Sequence, residues 1–205
     1  MMKEHILKHT NKPHKVFTPR GDYLMNPIPD FIKDQLDILF VGFNPSIRSS
    51  ETGYHYANPN NRFWTILYES GLTPRKFKPS ENIKLLTLGY GLTNIVERPT
   101  KAASEITKSE YEVGRQKLKD KIVRYKPSIV CFVGKGVYEQ FAQKKNIQWG
   151  KQEKTVLPTV IEFVAPSSSG LVRMKKEEIV HIYKQLRDLK DQMLNETKYY
   201  DEQID

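Results

Sequence analysis

The sequence predicts an α/β fold, a single-domain three-layer sandwich with a mostly parallel central sheet flanked by helices. Short apolar runs, each the length of a buried strand, alternate with segments whose apolar residues recur at helical spacing. The runs are apolar nearly throughout, which is typical of strands covered on both faces. A chain of 205 residues is long enough to bury one such core.

The first half of the chain supplies two strands and a helix. The apolar run at 38–41 predicts the first strand. A helix is predicted over 59–71, with Asn58 as its N-cap and Gly71 as its C-terminal stop. A second strand is predicted at 90–96 and runs into a turn.

The second half repeats the alternation. The motif Thr107-x-x-Glu110 is a capping box and predicts a helix that ends before Pro127. A third strand is predicted at 129–133, a helix around 137–142 and a fourth strand at 159–165. A closing helix is predicted from one apolar stripe at helical spacing: Ile179, Ile182, Tyr183, Leu186, Leu189 and Met193.

Charge divides the chain into a basic body and an acidic end. The net charge is +9, and residues 188–205 hold six acidic side chains against two lysines, a net of −4, so residues 1–187 carry +13. We therefore expect a basic arm at 1–30, a domain at 31–195 and an acidic tail at 196–205. A basic body favours a polyanionic partner, nucleic acid before a membrane surface.

The sequence contains neither a long apolar segment nor the apolar core of a signal peptide. We expect a soluble, monomeric, intracellular protein that does not bind a membrane, cytoplasmic and nucleoid-associated in a bacterium.

Metal and redox chemistry have little support in the sequence. The single cysteine, Cys131, lies in an apolar run and predicts a buried thiol, and the five histidines show no metal-site spacing. We expect no metal and no cofactor. The sequence contains no phosphate-loop motif and no dinucleotide-binding motif. Gly134-Lys135-Gly136-Val137 follows a predicted strand but lacks the spacing of a phosphate loop. Lys135 is left as either a DNA phosphate contact or a solvated side chain.

Two loops follow predicted strands and should meet at one edge of a parallel sheet. They are Asn44-Pro45-Ser46 and the loop at 166–171. The intervening segment at 51–59 is rich in aromatic residues that could stack on a planar ring. Each feature also has a plain structural explanation: Asn44 as a turn residue, the tyrosines as half-buried packing, and the serines as a polar loop.

Four ordered motifs together resemble the mismatch-specific uracil/thymine DNA glycosylases, and the resemblance covers roughly residues 36–194. The motifs are Gly42-Phe43-Asn44-Pro45, the segment at 53–64 (GYHYANPNNRFW), the segment at 91–100 (GLTNIVERPT) and the segment at 166–171 (PSSSGL). The resemblance implies a uracil-DNA-glycosylase-like fold. It also implies an enzyme that flips a nucleotide out of duplex DNA at a G·U or G·T mismatch and hydrolyses its N-glycosidic bond.

The resemblance also assigns the base pocket. Asn44 matches the catalytic asparagine that positions the attacking water, and an amide can orient water but is not a useful general base. Tyr56 would stack on the flipped base, while backbone groups of Phe43 and Tyr56 would bind the edge of the base. Ser49 would lie near C5 of the base, as in the uracil-directed branch, whereas Asn94 resembles the thymine-directed branch.

DNA contacts follow from the same comparison. The loop of Ser168, Ser169 and Gly170 would carry Leu171 as the wedge that fills the vacated stack, with Arg173 beside it as a phosphate contact. The chain departs from the family at Ser46, where glycine is usual.

Two other functions fit parts of the sequence. A catalytically silent DNA-binding protein would keep the wedge and the basic face but lose turnover, and its only support in the sequence is Ser46 in place of the usual glycine. An α/β enzyme acting on free nucleosides would use the same sheet edge without duplex DNA.

Overall fold

The computed structural model describes residues 16–17, 23–24 and 27–201, with side chains over 27–196, and it confirms the predicted α/β sandwich. Most of the predicted arm lies outside the described residues. In the described part of the arm, β1 (Val16–Phe17) pairs antiparallel with β2 (Tyr23–Leu24).

The main sheet has five strands in the order β4-β3-β5-β7-β6, of which only β6 is antiparallel. The strands are β3 (Ile38–Gly42), β4 (Tyr90–Asn94), β5 (Ile129–Val133), β6 (Gly150–Lys151) and β7 (Ile161–Ala165). The helices are α1 (Ile47–Thr52), α2 (Phe63–Glu69), α3 (Lys108–Tyr125), α4 (Lys135–Ala142) and α5 (Lys176–Asp201), with 3₁₀ segments at Pro79–Leu88 and Ala103–Glu105.

Alternate residues of β3, β5 and β7 enter two separate cores. Phe40 and Cys131 pack with helices α2 and α5 on one face of the sheet. Val41 and Phe132 pack with α3 and α4 on the other face. Both faces are therefore covered, as a parallel sheet requires. Cys131 is the buried thiol that the sequence predicted, and burial raises its pKa well above the usual value.

Helix α2 begins later than predicted, at Phe63 instead of residue 59. Asn58 is not its N-cap: the Asn58 side chain accepts from the backbone N–H of Asn60, and the Asn61 side chain accepts from that of Phe63. Two consecutive side-chain turns therefore occupy the segment where the sequence predicted the first helical turn.

Other element boundaries also differ from the predicted ones, and some short elements were not predicted. Strand β4 ends at Asn94 instead of residue 96, after which the N–H groups of Ile95 and Val96 bond to the carbonyls of Gly42 and Phe43. Strand β7 starts two residues later than predicted, and α4 starts two residues earlier. Helix α1, the 3₁₀ segments and β6 were not predicted.

Candidate active site

A pocket of about 140 Å³ lies at the carboxyl ends of the parallel strands, where the loops after β3 and β7 meet. It brings together six of the sequence-predicted site residues, namely Phe43, Asn44, Ser49, Tyr56, Asn94 and Ser168. Ile28, His55 and Asn61 also line it. The prediction that the two loops share one edge of the sheet is confirmed.

Hydrogen bonds to the loop after β4 fix the orientation of the Asn44 amide. The Asn44 Nδ2 donates to the Arg98 carbonyl at 2.7 Å and to Thr100 Oγ1 at 2.8 Å. Thr100 Oγ1 must accept here, because it donates its own proton to the Ala102 carbonyl at 2.8 Å. Both Nδ2 protons are thus engaged, which leaves Oδ1 of Asn44 as the acceptor for a ligand.

The loop that holds Asn44 is itself tied to helix α3. The Arg98 guanidinium makes a two-pronged bond to the Glu110 carboxylate and donates to the Glu105 carbonyl at 2.9 Å. Glu110 also completes the capping box with Thr107, as the sequence predicted. The bonds from Arg98 and Thr107 lower the pKa of Glu110 to about 2, so the carboxylate is charged throughout the physiological range.

Ser46 fits its turn without strain. Its backbone is extended, with φ −69° and ψ 160°, a region open to any residue, and its hydroxyl caps α1 by accepting from the Ser49 N–H. A serine at this position therefore needs no strained backbone beside Asn44.

The Tyr56 ring forms one wall of the pocket in a strained backbone conformation. Its φ is +52°, which is rare for an aromatic residue. The ring stacks on Phe63 with centroids 3.8 Å apart and planes inclined by 13°, so one face is covered. The Tyr56 hydroxyl is buried with no hydrogen-bond partner in the described part of the chain, and burial raises its pKa.

Gly42 makes room for two side chains of this pocket. A Cβ at residue 42 would lie 2.6 Å from Asn94 Oδ1 and 3.2 Å from the Tyr56 hydroxyl. Any larger residue would have to displace the Asn94 amide and would crowd the Tyr56 hydroxyl. Among the described residues, the Asn94 amide has no hydrogen-bond partner.

The Phe43 side chain points away from the pocket, toward Gly136 of helix α4 and the Tyr111 ring. A Cβ at residue 136 would lie 2.8 Å from Phe43 Cζ. The Phe43 ring is therefore packed against α3 and α4, and the ligand contact that the resemblance implies for its backbone stays a prediction.

His55 is a pocket residue that the sequence did not single out. It is 2% exposed, and Nε2 lies 3.0 Å from the Pro29 carbonyl, which can only accept. Nε2 must therefore carry the proton. Burial lowers the pKa of His55 and outweighs the opposing effects of the Pro29 bond and of Asp30, so the ring is neutral.

The loop after β7 presents the Leu171 side chain to solvent. Leu171 is 92% exposed. A Cβ at Gly170 would lie 2.6 Å from the Asn60 carbonyl, so the loop rests directly on the segment before α2. Ser168 is 1% exposed and lines the pocket, and the Ser169 hydroxyl accepts from the Leu171 N–H at 3.3 Å.

Arg62 holds this loop in place through hydrogen bonds to three of its carbonyl groups. Its Nη2 donates to the carbonyls of Ser169 at 3.1 Å and Val172 at 3.3 Å, and its backbone N–H donates to the Ser168 carbonyl at 2.8 Å. Sequence reasoning did not assign Arg62 or Thr100 a role. Both stand inside the quoted motifs, which was the available clue.

The two basic candidates differ in their surroundings. Arg173 is exposed beside the loop. Lys135 instead places its Nζ 4.4 Å from the centre of the Trp149 ring, a cation–π contact, so it is not a freely solvated side chain.

Across the described residues, no cluster of three or more histidine, cysteine, aspartate or glutamate side chains could hold a metal ion. None of the helices in that part of the chain is both long and apolar enough to cross a bilayer.

The pocket lies at the carboxyl edge of a mostly parallel sheet, is small and partly aromatic, and contains an oriented amide. These features define an enzyme-like site for a planar ligand. Comparison with known proteins then gives the family. The family model for the uracil DNA glycosylase superfamily matches residues 29–190, and the chain belongs to that superfamily. Its members are DNA glycosylases, enzymes that act on DNA.

A solved structure agrees with the fold. The solution NMR structure of a candidate uracil DNA glycosylase from Methanosarcina acetivorans superimposes with a TM-score of 0.52 at 21% identity, covering 80% of this chain and 98% of that chain. At this identity the likeness bears on the fold alone.

Proposed function

We propose that this protein is a monofunctional DNA glycosylase that flips and excises uracil mispaired with guanine in duplex DNA. Thymine and bulky cytosine adducts opposite guanine are the next substrates to examine. The orientation of the Asn44 amide carries the proposal, because both Nδ2 protons are engaged and Oδ1 is left to bind water at the pocket.

In the proposed reaction, the water oxygen forms a bond to C1′ as the bond from C1′ to the base nitrogen breaks. The bonding electron pair leaves with the base. An amide cannot remove the water proton, so bond cleavage must run ahead of attack, through a cation-like sugar. The water proton passes to solvent, and slow turnover is expected.

The remaining groups have positioning roles in this proposal. The uncovered face of Tyr56 stacks on the flipped base, and backbone groups of Phe43 and Tyr56 meet its polar edge, where they stabilise the departing anion. Ser49 faces the edge of the base that carries C4 and C5, and Asn94 also lines the pocket. Leu171 enters the space in the base stack that the flipped base has left. Arg173 and Lys135 contact phosphates of the DNA backbone. Flipping costs less at a mismatch, which favours G·U over A·U pairs.

The test uses end-labelled duplexes that differ only in the target base, each opposite guanine, with a matched A·U duplex. Abasic product is revealed by alkaline cleavage after incubation with enzyme in excess. We expect release of uracil from G·U, and loss of release in Asn44→Ala by a factor of about 100 or more, because the attacking water is no longer held. Asn195→Ala, exposed on helix α5, is the matched control.

Absence of abasic product from every duplex would contradict the enzymatic proposal. G·U binding without cleavage would then favour the silent DNA-binding protein. The substitution of Ser46 was the sequence feature in favour of that alternative, and its unstrained backbone removes this support. Cleavage of free deoxyuridine would favour the nucleoside enzyme.

A further inference from the structure

Two serines share hydrogen bonds at the edge of the pocket. Ser46 Oγ accepts from the Ser49 N–H at 3.1 Å and donates its own proton to Ser49 Oγ at 3.0 Å. Ser49 Oγ also accepts from the Ala57 N–H at 3.2 Å. Ser49 is 3% exposed, and both serines line the pocket.

These contacts decide what Ser49 can offer a ligand. A hydroxyl has one proton and two lone pairs, and Ser46 and Ala57 occupy both lone pairs. Within the described chain, the Ser49 proton has no acceptor. The hydroxyl can therefore act toward a ligand only as a hydrogen-bond donor.

We infer that Ser46 is a specificity-determining residue that acts through Ser49. By filling a lone pair of Ser49, Ser46 forces this wall of the pocket to present a proton. A base whose carbonyl oxygen can reach that point accepts the proton, and a base whose methyl group blocks the approach leaves the proton unpaired. The inference rests on the proposed function, in which Ser49 faces the edge of the base that carries C4 and C5.

Uracil and thymine differ on this edge by one methyl group. Both bases carry a carbonyl oxygen on C4. Uracil can bring this oxygen to the Ser49 proton, whereas the C5 methyl group of thymine keeps the same oxygen away. An unpaired buried donor is penalised more than a mere loss of contact. The Ser46 and Ser49 pair therefore selects uracil over thymine.

Replacing Ser46 by glycine should relax this selection. Without the Ser46 proton, one lone pair of Ser49 is freed, and the hydroxyl can turn its proton away from a methyl group. Glycine is tolerated at an N-cap almost as well as serine, so Ser46→Gly should fold. Ser46→Thr keeps a hydroxyl that can both cap α1 and donate to Ser49.

The experiment measures single-turnover rates on G·U and G·T duplexes and takes their ratio, with thermal unfolding as a folding check. Ser46→Gly should lower the uracil-to-thymine ratio by about 2- to 10-fold, the range expected from one net hydrogen bond. Ser46→Thr should keep the wild-type ratio. In a Ser49→Ala background, Ser46→Gly should cause no further change, since its effect passes through Ser49.

The outcomes separate this inference from the proposed function. If the wild-type protein releases no uracil from G·U, the proposed function has failed. If it does and Ser46→Gly leaves the ratio unchanged, the inference is overturned. A ratio lowered equally in Ser46→Thr, or lowered further by Ser46→Gly on top of Ser49→Ala, would also overturn it.

Discussion

At the scale of single residues, the direction of the Asn44 amide depends on the Thr100 hydroxyl, which is 3% exposed. Thr100 accepts from Asn44 and donates to the Ala102 carbonyl. Thr100→Val keeps the shape and removes both bonds. We expect the single-turnover rate on G·U DNA to fall about tenfold, because a lost hydrogen bond of this kind is worth about 1 to 1.5 kcal/mol.

Affinity for the same duplex, measured by fluorescence anisotropy, should change little, since Thr100 is buried and orients Asn44 without reaching DNA. Thr100→Ser keeps the hydroxyl and is the matched control, with a rate near wild type. A wild-type rate in Thr100→Val would mean that the Arg98 carbonyl alone suffices to orient the amide.

The alternation of strands and helices predicted that the loops at 44–46 and 166–171 meet at one edge of a parallel sheet, and the family resemblance placed Asn44, Tyr56 and Asn94 in one pocket. Neither could give the direction of the Asn44 amide. The partners of that amide, Arg98 and Thr100, lie 54 and 56 residues further along the chain, and only the paired strands bring them together. The tautomer of His55 is hidden for the same reason, since it depends on the Pro29 carbonyl.

At the scale of elements, the segment before α2 and the loop after β7 form one unit. Arg62 holds two carbonyls of that loop, and the same segment carries Tyr56, which stacks on the first residue of α2. Leu171 and the Tyr56 ring therefore share a support. Disturbing the Arg62 contacts should impair flipping more than bond cleavage.

Arg62→Gln removes the pair of guanidinium bonds to the loop. We expect the rate on a G·U duplex to fall about tenfold, because Leu171 is no longer held in position. The rate on uracil in a bulge should fall much less, because an unpaired base has little flipping cost left. Leu171→Ala should reproduce this pattern in single-turnover assays on both substrates.

Arg124→Gln, exposed on helix α3, removes the same charge away from the loop and should leave both rates unchanged. Equal losses on the duplex and the bulge in Arg62→Gln would instead indicate general damage to the pocket.

Long apolar elements were predicted well, and short polar ones were not. The strands at 38–41 and 129–133 and the helix opened by Thr107 were predicted to within one residue. Helix α1 is six residues long and mostly polar, so it has no apolar stripe to reveal it. Its start is set by the Ser46 cap, and a lone serine in a loop is too common to identify.

At the scale of the whole molecule, buried His55 links folding stability to pH. Its folded pKa is lowered by burial, whereas an unfolded histidine titrates near 6.5. Above that pH the ring is neutral in both states and its contribution to stability is complete. As pH falls below 6.5, the unfolded chain gains a proton that the folded chain does not, and stability declines until the folded pKa is passed.

Urea unfolding at pH 7.5, 6.5 and 5.5 measures this loss of stability. One titrating group can lower the free energy of unfolding by at most about 1.4 kcal/mol per pH unit. His55→Gln keeps a donor for the Pro29 carbonyl and should flatten the dependence. Exposed His181 on α5 offers the control variant His181→Gln, in which the wild-type slope should remain. An unchanged slope in His55→Gln would assign the pH dependence to other groups.

The bonds that orient Asn44 also limit how this enzyme could evolve. Aspartate at residue 44 would add a carboxylate, the simplest route to a general base and a faster reaction. In this loop its second oxygen would face the Arg98 carbonyl, and the Thr100 hydroxyl proton is already donated to the Ala102 carbonyl. The carboxyl group would have to stay protonated to fit, so a single codon change cannot increase the rate until the loop after β4 is rebuilt.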